Sequence, residues 1–267
     1  MAAPALGVHE SISSADYHAG PGLSSSGVKT AHGSLLKYKH EFIDGNRQED
    51  TAALLLGRVV HAIVLECLQD GGEEFFVVDA STRNTKAYKQ AREDNPGKSG
   101  LLQSELDEAR RIAAAVRANN QASRLLLGAA NEHSVYWQEG DTLCKCRPDA
   151  WRHDLRTVVD LKTAQDASPD GFRRAVMRFG YHISAAWYRR GIEAETSEPL
   201  SAWAWIAVET KPPYACQVYT AEPALLTYGD SICMETLDKI RGAERSGNWP
   251  GYSDNILPIG LPAWVRD

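Results

Sequence analysis

The 267-residue sequence has no hydrophobic run long enough to cross a bilayer. Its most apolar stretch, residues 51–68, is broken by Arg58 and His61 and falls short of the roughly 20 apolar residues a spanning helix requires. A basic amino-terminal segment followed by an apolar core is also missing, so neither a secretory signal nor a membrane partner is expected. Cysteine is scarce and irregular. Cys67, Cys144, Cys146, Cys216 and Cys233 are an odd number without regular spacing, which excludes a disulfide framework, and no second pair stands at zinc-like spacing beside Cys144 and Cys146. Buried free thiols in a reducing cytoplasm are the expectation. Internal repeats and low-complexity tracts are absent.

Two further scarcities are local and concern charge. Residues 171–190 contain no acid but five arginines, Arg173, Arg174, Arg178, Arg189 and Arg190. Residues 191–267 contain only 5 Lys+Arg against 11 Asp+Glu, whereas residues 1–190 balance at 24 and 24, so the last 77 residues carry the whole net charge of −6. Charge read by segment therefore leaves room for a polyanion that the total would discourage. The acidic carboxy-terminal segment is expected away from any bound polyanion, on an outer surface or a subunit boundary.

The length and the 43% hydrophobic content support a single globular domain that needs no disulfide or structural metal. Within residues 1–267, the pattern divides into an amino-terminal helical lead (1–50), a core (51–220) and a carboxy-terminal helix and tail (221–267). Helices are expected at 27–43, 52–68, 104–119, 169–194 and 225–241, the third capped by Ser104 and Asp107, with Gly71-Gly72 closing the second. Strands are expected at 75–79, 134–138, 143–147, 157–161, 202–208 and 215–220, with Gly140-Asp141 as a hairpin turn and 81–100 as a loop with some helix. The fold class is α/β, a central mixed β-sheet flanked by helices.

The chemistry concentrates in Arg147-Pro148-Asp149 and Asp160-Leu161-Lys162. Side chains alternate along a strand, so Asp160 and Lys162 share one side while Leu161 faces the core. With Asp149 beside them, two carboxylates would hold a hard divalent cation, and the lysine would position an attacking water for phosphodiester hydrolysis. A D-x-K pair is also met as a plain ion pair. His61, on the apolar second helix, is either a satisfied core imidazole or a third metal ligand, and Gly57, four residues before it, lets another backbone approach. The arginine-rich helix that follows, with Tyr181, His182 and Tyr188, would supply phosphate contacts. Glu132 reads first as a solvated strand-end glutamate, with an extra acidic ligand as the alternative, Glu66 as structural or as a support behind the ligands, and Trp203 and Trp205 as sheet packing.

Asp149 and Asp160-x-Lys162 resemble the PD-(D/E)XK nuclease motif. The wider pattern resembles the nuclease domains of RecE-type exodeoxyribonuclease VIII and its phage-type relatives. The matching stretches are Tyr17-His-Ala-Gly-Pro-Gly-Leu-Ser24, Gly57-Arg-Val-Val-His61-Ala-Ile-Val-Leu-Glu66, Ser134-Val-Tyr-Trp137, Cys144-Lys-Cys-Arg-Pro-Asp149, Val159-Asp-Leu-Lys-Thr163, Tyr181-His182 and Leu261-Pro-Ala-Trp264, collinear over nearly the whole chain. The resemblance implies a restriction-endonuclease-like core. It also implies a Mg²⁺-dependent exonuclease, with Mn²⁺ as a substitute, that degrades linear double-stranded DNA from 5′ ends. The 3′ overhangs it leaves would serve recombination and repair with a single-strand annealing partner. A ring-shaped homo-oligomer, trimer or tetramer, is implied as well. By the same resemblance His61, Asp149, Asp160 and the Leu161 carbonyl are metal ligands, and Lys162, Asp160 and Asp149 are catalytic. Arg173, Arg174, Arg178, Tyr181, His182 and Tyr188 are expected to bind DNA. Where the family often has Gln-x-x-x-Tyr, this sequence has Ser184 four residues before Tyr188. Alternatives are an endonuclease or single-strand nuclease of the same superfamily, or a non-catalytic DNA-end-binding recombination protein.

Overall fold

The computed structural model describes residues 4–46, 51–66 and 74–261. Cys67, Leu68, Gly71-Gly72 and the Pro262–Trp264 part of the final motif lie outside the described residues. The chain begins with β1 (Gly7–His9), α1 (Ser14–Ala19), α2 (Ser25–Gly33) and α3 (Leu35–Tyr38), then a π-helical turn (Lys39–Ile43) and α4 (Ala52–Leu65). Next come β2 (Phe75–Val78), α5 (Lys86–Asp94), β3 (Ser99–Leu102), α6 (Gln103–Ala118) and α7 (Asn120–Leu126). Five strands follow: β4 (Ala130–Asn131), β5 (Ser134–Glu139), β6 (Thr142–Cys146), β7 (Ala150–Arg152) and β8 (Thr157–Ala164). The chain closes with α8 (Pro169–Arg178), α9 (Tyr181–Thr196), β9 (Ala202–Glu209), β10 (Cys216–Thr220) and α10 (Pro223–Ser246).

The central sheet has the order β10-β9-β8-β7-β4 and is mixed: β8 and β9 run parallel, and the other pairs are antiparallel. Alternation along its central strands feeds two cores. Val158, Trp203 and Trp205 pack with α2, α8, α9 and α10, while Val159, Leu161, Ile206 and Val208 pack with α4 and α6. A second sheet, β1-β5-β6, closes the first core, and β2 and β3 form a parallel pair of their own.

Several elements differ from the sequence reading for local reasons. The helix expected over 27–43 breaks at Ser34, whose extended backbone lets its hydroxyl cap the amide of Lys37 at 3.3 Å. The helix expected over 169–194 is two helices, because Gly180 takes a left-handed φ of +65°. The start of α6 is held by Glu105, which accepts from the Leu102 amide at 2.9 Å, and not by Ser104. β3, β4, β7 and α7 escape the periodicity because they span only two to seven residues each.

Candidate active site

The site begins where a strand pairing stops. β7 and β8 pair as Ala150↔Val159, and one step further along that register Asp149 stands opposite Asp160. The next step would oppose Leu161 with Pro148, which has no N–H to give, so the ladder ends there. Side chains take over the freed backbone. The Leu161 amide donates to Asp149 Oδ2 at 2.8 Å, and His61 Nε2 lies 2.7 Å from the Leu161 carbonyl oxygen. His61 reaches this point because α4 packs against β8, with Gly57 facing Thr163: a Cβ there would meet Thr163 Oγ1 at 3.4 Å.

The other ring nitrogen of His61, Nδ1, is 3.5 Å from Asp149 Oδ2. Glu132 joins them, and one ligand atom from each of His61, Glu132 and Asp149 lies within 4.8 Å of the other two. Glu132 is therefore not the solvated glutamate the sequence pointed to. It sits just after β4 with a left-handed φ of 58°, its Oε2 2.5 Å from Arg147 Nε. Arg147 is itself fixed by the carbonyl of Ile12 and the hydroxyl of Ser134, both at 2.8 Å. Burial and the negative charge of Asp149 push the Glu132 carboxyl above its ordinary pKa, with Arg147 opposing. An imidazole, carboxylates and a backbone carbonyl form a donor set that suits a hard divalent cation such as Mg²⁺ or Mn²⁺.

Asp160 makes a different contact. Its Oδ2 is 2.7 Å from Lys162 Nζ, and both groups are largely buried. Burial penalises the Lys162 ammonium, but the charges of Asp160 and Asp149 and the bond to Asp160 outweigh it and raise its pKa. Burial raises the Asp160 carboxyl in turn, against the pull of Lys162. Removing one partner of such a pair costs about 3–5 kcal/mol, because the other charge is left buried alone.

Residues 24–258 match the family model described as PDDEXK-like domain of unknown function (DUF3799). The chain belongs to this family. The PDDEXK-like domain superposes on a crystal structure from Eubacterium rectale, of a protein provisionally named an exonuclease, with a TM-score of 0.65 over 90% of this chain and 91% of that one. At 17% identity the likeness shows the fold. A phage related exonuclease from Haemophilus somnus is 12% identical over 84% of this chain and 96% of that one, but its TM-score of 0.34 carries no argument. No curated protein matches the sequence significantly.

Around the PDDEXK-like centre, α9 forms a wall. The Lys162 ammonium stands 5.3 Å from the centroid of the Tyr181 ring, a cation–π contact, and Tyr181 is only partly buried. The Tyr188 phenol hydrogen-bonds Ser25, and burial, with nearby Cys146, Asp149 and Asp160, raises its pKa well above the ordinary tyrosine value. His182 does not join a DNA-facing surface. It is 3% exposed, its Nδ1 is 3.1 Å from the Val176 carbonyl, and its ring stacks on Tyr228. The arginines divide. Arg173, Arg174 and Arg178 are exposed on α8, the first paired with Asp170 at 2.8 Å and the second 3.7 Å from Asp166. Arg190 instead ties α9 to Asp230 of α10 and to Glu139 of β5. Cys144, Cys146 and Cys233 are buried and free, and Trp203 and Trp205 lie inside the core. Among the described residues no helix is long and apolar enough to cross a membrane.

Proposed function

We propose that this PDDEXK-like domain is a divalent-metal-dependent exonuclease that hydrolyses linear double-stranded DNA from 5′ ends and leaves 3′ overhangs. The observation that carries this reading is the meeting of His61, Asp149 and the Asp160–Lys162 pair around the buried peptide of Leu161, whose amide and carbonyl are met by side chains where the β7 ladder ends. His61, Asp149, Asp160 and the Leu161 carbonyl, with Glu132 added, would hold Mg²⁺, or Mn²⁺ in its place. A bound divalent cation would stabilise charge on the phosphodiester and lower the pKa of a water. Lys162, kept protonated by its two acidic neighbours, would orient the attacked phosphate and that water. Asp160 fixes the ammonium in place, and Tyr181 shields its far side. Arg173, Arg174 and Arg178 would track the DNA backbone outside the site. Assembly as a ring of identical subunits, trimer or tetramer, and delivery of the overhang to a single-strand annealing protein complete the reading.

The test is incubation of purified protein with 5′-labelled linear duplex and with closed circular DNA, with Mg²⁺ or with chelator. Release of labelled mononucleotide from linear DNA alone is expected, abolished by chelator, by Asp160→Ala and by the milder Asp149→Asn. Cutting of the circle would identify an endonuclease. DNA binding without any hydrolysis would identify an end-binding protein.

A further inference from the structure

Helix α2 sends a cation to the same place as β8. The stem of Lys29 lies against Gly180, where a Cβ would come within 2.9 Å of Lys29 Cδ and 3.2 Å of Cγ, so this glycine leaves room for the lysine to pass. Gly180 leads directly into Tyr181, whose ring holds the Lys162 ammonium. Lys29 is half-buried, and among the described residues it makes no hydrogen bond or ion pair. Burial first, and the repulsion of Lys162 second, lower its pKa to about 8, with Asp160 opposing.

Lys145 shows what a structural lysine looks like in this fold. Its buried ammonium donates to the carbonyls of Tyr17 and Gly20, both at 2.6 Å, and stands over the Tyr17 ring. Lys29 has no such carbonyls. Its charge is repelled by that of Lys162, whose ion-pair partner among the described residues, Asp160, is already engaged. An ammonium left without a partner in a half-buried site costs free energy that an arriving anion recovers.

We propose that Lys29 is a second phosphate-binding cation of the site, its ammonium donating to a non-bridging oxygen of a DNA phosphate held beside Lys162. This inference rests on the nuclease reading and adds to it a residue from the amino-terminal lead. The measurement is equilibrium binding of a fluorescent duplex in chelator, where nothing is cut, by wild type, Lys29→Met and Lys29→Arg over a salt series, with thermal melts of each protein. Lys29→Met should weaken binding about tenfold and flatten the slope of log affinity against log salt by about 0.9, with Lys29→Arg close to wild type. Its melting temperature should hold or rise, because a strained cation has gone. Duplexes with 5′-phosphate and 5′-hydroxyl ends separate the two sources of phosphate. A loss confined to the phosphorylated end assigns the terminal phosphate, and an equal loss on both assigns an internal phosphodiester. Wild-type affinity and slope in Lys29→Met would overturn this inference alone, as would a loss of affinity accompanied by a lower melting temperature. Failure of the wild type to bind DNA would overturn the nuclease reading and this inference together.

Discussion

Glu132 is the residue with most at stake in the metal-free protein. Its left-handed backbone is uncommon for a residue with a side chain, and its carboxylate is held close to that of Asp149. A folded-state pKa raised above the unfolded value means the folded protein binds the extra proton. The contribution of Glu132 to stability is thus fully present below the ordinary glutamate value of about 4.3 and is lost as pH rises through the raised folded value. Glu132→Gln removes that loss. In chelator its melting temperature should exceed that of wild type at pH 7–8, with the gap closing toward pH 4. The same substitution should weaken Mg²⁺ or Mn²⁺ binding, followed by calorimetry, by about tenfold or more. Equal melting temperatures at both pH values, with unchanged metal affinity, would place Glu132 outside the centre. The sequence marked it only as the lesser alternative to a solvated glutamate, because its partners are 15 and 17 residues ahead and only the β4–β7 pairing brings Asn131 opposite Ala150, next to Asp149.

At the scale of elements, α8 and α9 both carry arginines but place them differently. Reading 171–190 as one basic face missed the left-handed Gly180, which turns the chain so that Arg190 faces α10. Arg190→Met should therefore cost about 1 kcal/mol of stability, discounted for the partial exposure of the ion pair, and leave DNA affinity unchanged. Arg178→Ala should do the reverse, lowering affinity with no change in melting. A chemical-denaturation curve and a binding isotherm for each variant decide the matter. The long periodic helices and the β5, β6, β8 and β9 strands were legible because a buried face imposes a period on the sequence. The Asp160-Leu161-Lys162 order was legible for the same reason, since alternation alone puts the acid and the base on one side. The placement of Asp149 was not, because it depends on the register of β7, a three-residue strand too short to show a period.

Over the whole molecule, the net charge of −6 is distributed more than it is displayed. Within the acidic carboxy-terminal segment, Asp230 is spent on Arg190, and Asp238 lies 3.7 Å from Arg241. On the proposed reading, the acids that would matter for DNA come from just before α8 and from its first turn, where Asp166 and Asp170 stand beside Arg174 and Arg173. Both pairs are well exposed, so each is worth little to folding, but each would lower the positive potential a duplex meets. Asp170 also sits in the first turn of α8, where its charge favours the helix by about 0.3–1 kcal/mol. Asp170→Asn therefore trades a small loss of stability for a freed Arg173. Its affinity for duplex should rise at low salt, with a salt dependence steeper by up to about 0.9. The gain should vanish when Arg173 is replaced by alanine in the same protein, since the two changes act through one contact. A gain that survives in the double variant would mean that the field of the molecule, and not this pair, sets how DNA is drawn to α8.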